Sequence, residues 1–412
     1  MFVVGYLLIM VISFEIAYFL RLSLGTKVVI LAGLMAVFAF FVVPDVTSRI
    51  DALPYLSSLN DIRAVCHSKG IAAGWKLVYS SRQVSDTSSL AQTMTFSGTP
   101  MMAVIMLVFS YLPNPLFLAV IAFVDYFFVL KAIQLVVVRN RLSHQIFAYA
   151  YLMFMALIVY TNAVGGIRNN MVGTVYGYFV LKYFMNDNRL VSMATLKMVL
   201  LTFILAMIHP FTLLLFLILA IVTLFARSWR LLRVSDAVMM LHRFFQQTFF
   251  TLLTPFKAIP FVGSILFKSN QYIGDNATLF ISSRANWVRD FARLVIMFAI
   301  IFALRKFSRR YIDRRYFEFV LLLICFTIGA VQDQVLFERC LLVLLPIMTP
   351  YITLLPVVLK KTAMHQPNHL ALHYTLILGL ALFAFFCLVD NLRAGELYYT
   401  FLFNSNPLVT GF

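Results

Sequence analysis

The chain has 412 residues, of which 62% are hydrophobic and 12% charged, with a formal charge of +17. A soluble domain carries about a quarter charged residues, so this composition excludes one and describes a helical protein of the bilayer. The basic residues are scattered over short loops and form no patch, which excludes a nucleic-acid partner and fits anchoring at one membrane surface.

A crossing helix takes about 20 apolar residues, within a range of about 17–25. Such runs are predicted near 2–20, 28–43, 115–138, 145–163, 169–185, 196–226, 237–253, 291–304, 316–332, 337–359 and 370–390. The first lacks a basic leader and a small-residue cleavage site, so it reads as a span and not as a removed signal peptide. Residues 70–92 mix polar and apolar types and read as a surface helix. Met101 to Leu112 is too short to cross and ends in Pro113-Asn114-Pro115, the pattern of a re-entrant or interfacial helix. The run 196–226 is too long instead, at about 31 residues or about 46 Å of helix. Proline removes a backbone donor, so this run is expected as two shorter helices meeting at His209-Pro210.

Lysine and arginine gather on cytoplasmic loops. Arg21/Lys27, Arg139/Arg141, Lys182/Arg189/Lys197, Arg305 to Arg315 and Lys360/Lys361 are assigned to that side. The strongest anchor, Arg305 to Arg315, holds six basic residues against one acid. The segments 44–114, 164–168, 254–290, 333–338 and 391–412 then face outward, and both termini with them. The expected fold is an all-α polytopic integral membrane protein with about 11–12 transmembrane helices. It forms a single multi-span domain over 1–412, with long outer loops at about 44–114 and 254–290.

Against this background a few polar residues stand out. Arg168 follows Gly165-Gly166 at the outer start of a span. A guanidinium fork matches phosphate oxygens and stays charged in a low dielectric. An interfacial snorkelling arginine is the alternative, yet an anchoring arginine has no reason to lie on the outer side. Arg339 repeats the arrangement after the turn that holds Asp333 and Glu338, and two arginines facing one cavity suit a pyrophosphate. His209 sits where the backbone breaks, and a neutral imidazole there can donate to an oxygen or act as a base; filling the core is its other reading. The first outer loop offers Asp45, Asp51, Asp61 and Arg63, and Asp51 with its neighbours is the pool for a proton acceptor. Arg284 and Arg289 close the second outer loop and are candidates for binding substrate.

Four cysteines, Cys66, Cys325, Cys340 and Cys387, show neither CxxC nor Cys/His spacing, so neither a disulfide framework nor a zinc site is inferred. P-loop, GxSxG, HExxH and Rossmann patterns are missing, and so is an Asp-x-Asp metal motif. No cofactor or metal is expected.

In order along the chain, Asp51-Ala52-Leu53-Pro54-Tyr55, Gly166-Ile167-Arg168-Asn169, His209-Pro210-Phe211 and Glu338-Arg339 resemble the motifs of the Wzy-type polysaccharide polymerases, in particular their EpsG-like branch. The likeness runs from about residue 45 to 345. Two departures are visible: Asn169 stands where glutamine is usual, and His209 is followed by Pro-Phe where a serine is common two residues on. The resemblance implies a metal-independent glycosyltransferase with a GT-C-like arrangement. It would join repeat units carried on undecaprenyl pyrophosphate at the outer face of a bacterial plasma membrane, in O-antigen or capsule synthesis. It implies catalytic roles for Asp51 and His209 and substrate-binding roles for Tyr55, Arg168, Asn169 and Arg339. Its partners would be the lipid-linked glycan, membrane lipid and a chain-length regulator protein. A ligase that hands the glycan to another acceptor shares these features. A transporter of lipid-linked glycan should show paired broken helices in two repeated halves, whereas one broken segment is evident here.

Overall fold

The computed structural model describes residues 1–46, 52–79, 99–157, 166–186, 192–225, 228–241, 254–256, 284–308, 311–331, 333–365, 370–404 and 406–410, together with Phe96, Tyr160 and Val164. The described elements are almost all α-helical. In chain order they are α1 (Phe2–Tyr18), α2 (Leu24–Phe41), β1 (Val42–Pro44), α3 (Ala52–Lys69), α4 (Ile71–Tyr79), α5 (Pro100–Phe109), α6 (Asn114–Arg139), α7 (His144–Leu157) and α8 (Ile167–Met185). There follow α9 (Met193–Ala206), α10 (Phe211–Phe225), α11 (Trp229–Met240), α12 (Arg284–Ser308), α13 (Arg314–Gly329), α14 (Gln334–His365), α15 (Leu370–Tyr398), β2 (Tyr399–Phe401) and α16 (Pro407–Thr410).

Local chemistry starts these helices where the sequence offers caps. Ser23 Oγ accepts from the Thr26 amide at 3.1 Å, Ser192 Oγ from the Thr195 amide at 3.2 Å, and Asp333 Oδ1 from the Leu336 amide at 3.1 Å. Each satisfies one of the amides a helix leaves open at its N-terminus. Pro100 opens α5 in the first turn, where a missing N–H costs nothing.

Four described helices are long and apolar enough to cross a membrane: Leu24–Phe41, Asn114–Arg139, Leu336–Val358 and Ile377–Tyr398. Shorter apolar helices, among them Phe2–Tyr18, His144–Leu157, Met193–Ala206 and Phe211–Phe225, complete the apolar body. This is a helical membrane protein by composition and form. Its most enclosed long helix is α14, with 83% of the spanning window buried, whereas α15 buries 22% of its window and lies at the edge. Large apolar side chains such as Phe203, Phe302, Leu378 and Phe386 point outward, as lipid contact requires and water contact would penalise.

The two ends of the bundle differ. At one end, Asn140 Nδ2 donates to the Tyr311 carbonyl at 3.2 Å and Arg315 Nη2 to the Phe184 carbonyl at 3.5 Å. These contacts gather the hairpins that carry Arg139, Arg141, Lys182, Arg314 and Arg315. At the other end, the N-terminal ammonium meets Glu396 at 2.7 Å, and the rings of Phe2, Tyr6, Phe38, Tyr160 and Tyr399 form one cluster. There β1 and β2 pair antiparallel, with Val43 opposite Thr400. This short ribbon departs from a purely helical expectation. It ties together the residues that follow α2 and α15 through backbone bonds that neither segment could make alone.

Two further departures concern boundaries. The run expected at 237–253 lies in part outside the described residues, and its described portion belongs to α11, which starts earlier. Arg233 of that helix pairs with Asp236 and with Glu318 of α13, so polar residues outside the apolar run join the helix. The surface helix expected at 70–92 is α4, described over Ile71–Tyr79, and it turns off α3 at Gly70 with a φ of 83°.

Candidate functional site

Helix register brings the singled-out residues to one level. α8 and α14 run parallel. A Cβ added at Gly173 would fall 3.1 Å from Val343 Cα, and one at Gly177 would fall 2.9 Å from Ile347 Cγ1. Only glycine lets two backbones approach this closely, the role small residues play between membrane helices. Carried back four residues in both helices, this register sets Asn169 opposite Arg339. α8 and α9 run antiparallel, because Tyr183 Oη meets Thr195 Oγ1 at 3.0 Å and Tyr176 Oη meets Thr202 Oγ1 at 3.3 Å. Seven residues beyond that second contact in each chain direction, Asn169 stands level with His209. Arg168, Asn169, His209 and Arg339 thus share the end of the bundle remote from the basic hairpins. The 19 residues of α8 separate the two ends by about 28 Å.

Aromatic rings hold Arg168. Its guanidinium carbon lies 5.7 Å from the centroid of Tyr55 and 5.9 Å from that of Phe96. Both rings are buried, and they meet each other tilted by 33° with centroids 6.0 Å apart. Cation–π contacts of this kind contribute about 0.5–2 kcal/mol, more when desolvated. Among the described residues no carboxylate pairs with this guanidinium. The first outer segment therefore reaches the site through Tyr55. Beside Arg168, Asn169 Oδ1 is buried and has no hydrogen-bond partner among the described residues.

His209 sits at the break as expected. The Phe211 amide, which in a continuous helix would donate to the Met207 carbonyl, donates instead to His209 Nδ1 at 3.1 Å. The Met207 carbonyl is taken by the first amides of α5, from Met101 at 3.2 Å and Met102 at 3.4 Å. So the short helix expected at Met101 to Leu112 docks its N-terminus onto the break, and each element supplies what the other lacks. An Nδ1 that accepts fixes the tautomer with hydrogen on Nε2. In this state His209 donates through Nε2 and cannot take a proton there.

The remaining candidates divide. Asp51 lies outside the described residues. Arg284 opens α12, and its side chain also lies outside them. Arg289 is held by Asp390 at 2.5 Å and Asp290 at 3.3 Å. Asp333 caps α14, and Arg339 stands in that helix's second turn. Arg63 donates to the carbonyls of Ser110 at 2.8 Å and Leu112 at 2.7 Å and to Asn60 and Asn114, clamping α3 to the α5–α6 turn. Phe96 was missed by sequence reasoning, and a lone phenylalanine among many carries no signal. Gly173 and Gly177 were missed too, although Gly-x-x-x-Gly inside an apolar run is a readable signal of close helix packing.

No protein-family model, curated protein or solved structure matches this chain.

Proposed function

We propose that the chain is a multi-pass glycosyltransferase of the bacterial plasma membrane that polymerises repeat units carried on undecaprenyl pyrophosphate. In this reading it has about 11–12 crossings in a GT-C-like arrangement. The observation that carries the proposal is the common level of Arg168, Asn169, His209 and Arg339 at the end opposite the basic hairpins. If those hairpins face the cytoplasm, the site faces outward, where lipid-linked repeat units are joined.

The chemistry follows from the donors. A hydroxyl of the incoming unit attacks the anomeric carbon of the growing chain. The bond from that carbon to the pyrophosphate oxygen breaks, and the electron pair leaves with the diphosphate. Arg168 and Arg339 stabilise that developing charge with preorganised forks, each worth roughly 3–4 kcal/mol. Asn169 Oδ1 accepts a sugar hydroxyl, and His209 donates from Nε2 to a phosphate or sugar oxygen. The proton of the attacking hydroxyl goes to a carboxylate of the first outer segment, with Asp51 the candidate, since Tyr55 already brings that segment to Arg168.

The test is direct. Membranes containing the protein, supplied with lipid-linked repeat unit, should yield a ladder of lengthened lipid-linked glycans. Transfer to a different acceptor, or movement of the unit across the membrane without lengthening, would refute polymerisation.

A further inference from the structure

A second polar centre lies between α12 and α15. Asp390 of α15 pairs with Arg289, Arg289 with Asp290 at 3.3 Å, and Asp290 with Arg293 Nη1 at 2.9 Å. This chain of two acids and two bases is neutral. Its inner member is anomalous. Arg293 is 4% exposed, yet among the described residues no oxygen or nitrogen accepts from its Nε or Nη2. A buried charged donor left unmet carries its full desolvation cost. Nε and Nη2 form the side-on edge of the guanidinium, the one that takes two oxygens of a phosphate or carboxylate together.

The surroundings narrow the ligand. Cys387 of α15 lies beside the Arg293 guanidinium. One turn further toward the outer end of α15, Asn391 Nδ2 donates to the Ala156 carbonyl at 3.4 Å, and its buried Oδ1 has no partner among the described residues. Unmet donors therefore lie deeper and an unmet acceptor lies further out. On either side the helices expose Val288, Phe291, Phe386 and Val389, the apolar surface that acyl chains would cover. Arg289 and Asp390 are each about a third exposed in the seam, with side-chain values of 31% and 37%. With the cluster neutral and one fork open, a single phosphodiester charge fits better than a diphosphate.

We propose that the α12–α15 seam binds the headgroup of an outer-leaflet phospholipid, its phosphate on Arg293 and a headgroup hydroxyl on Asn391. Phosphatidylglycerol has this order of groups, phosphate deeper and hydroxyl outward. Phosphatidylcholine has the phosphate without the hydroxyl.

The experiment is lipid retention by the full chain, read by native mass spectrometry after purification from bilayers holding the two lipids in equal amounts. Wild type should retain one phosphatidylglycerol with about tenfold preference over phosphatidylcholine, a difference of about 1.4 kcal/mol. Arg293→Lys keeps the charge without the fork and should lower retention of both lipids severalfold, whereas Asn391→Ala should remove the preference for phosphatidylglycerol. Arg168→Ala should leave it intact, which separates this seam from the proposed glycan site. Equal retention of both lipids by wild type, undiminished retention by Arg293→Lys, or a preference that survives Asn391→Ala would overturn the proposal. Displacement of the phospholipid by added polyprenyl diphosphate would reassign the seam to a substrate lipid, and displacement by excess inorganic phosphate to a free anion. Should Arg293→Lys not fold, Asn391→Ala still decides.

Discussion

Gly173 lies against the backbone of Val343 so closely that a Cβ there would fall 3.1 Å from Val343 Cα. Through this contact and its repeat at Gly177, two parallel helices are held in a register that sets the start of one beside Arg339 of the other. The geometry of the candidate site is thus set one turn below it, by residues that touch no substrate.

That dependence is testable without touching an arginine. Gly173→Leu must push α14 away at a point where the nearest neighbour, Val343 Cα, is backbone and cannot rotate aside. We expect polymerisation to fall at least about tenfold, because misplacement by about 1 Å can cost a hundredfold in rate. Chain length distributions from membranes with matched protein levels would check it, and a normal ladder would show that the α8–α14 register does not position the site.

The box around Arg168 gives a graded expectation. Tyr55→Phe keeps a ring over the guanidinium, and activity should stay within about twofold of wild type. Tyr55→Ala removes a cation–π partner worth about 0.5–2 kcal/mol and should cost roughly two- to thirtyfold. Initial rates with the two variants read this directly. Equal losses in both would mean that the hydroxyl of Tyr55, and not its ring, matters.

His209 has a structural duty at Nδ1 and a proposed chemical one at Nε2. Asparagine separates them, since its Oδ1 can accept from the Phe211 amide as Nδ1 does. We expect His209→Asn to insert and unfold thermally much as wild type does, yet to lose activity by about tenfold or more. His209→Ala should also lose stability, by about 0.5–2 kcal/mol for a removed cap. Full activity in His209→Asn would leave the residue a cap alone.

Much of the helical plan was legible in the sequence. Apolar run lengths located α1, α2, α6 and α13 to within a few residues, because burial in lipid demands long apolar stretches wherever they occur. The break at His209-Pro210 was legible for a local reason, as proline cannot donate to the preceding turn. Its partner was not: that α5 would place two amides on the Met207 carbonyl depends on a tertiary contact between residues about a hundred apart. The β1–β2 ribbon was hidden in the same way, since three-residue strands leave no periodic pattern to read. For the site, the arginines could be picked out as charges in costly places. Their aromatic and glycine support could not be picked out by composition in a chain with 42 phenylalanines.

Orientation is a separate expectation. A cysteine placed at Ser308, close to the basic hairpins, should stay unlabelled by an impermeant thiol reagent added to intact cells, and one placed at Ser283 should react. The native cysteines Cys66, Cys325, Cys340 and Cys387 are all buried, which keeps the background low. Labelling at Ser308 from outside would invert the bundle and move the arginine level to the cytoplasm.

The central claim is that Arg168 and Arg339 hold one diphosphate, and a double-mutant cycle on polymerisation rate tests it most directly. Each single alanine variant should slow the reaction on the order of a hundredfold or more, leaving mostly single repeat units. Lysine variants should recover part of the rate, as charge without a fork. Because both side chains act on the same leaving group, the double alanine variant should be scarcely slower than either single one. Losses that multiply in full would mean two independent sites, and a complete ladder from Arg168→Ala at normal protein levels would contradict the account outright.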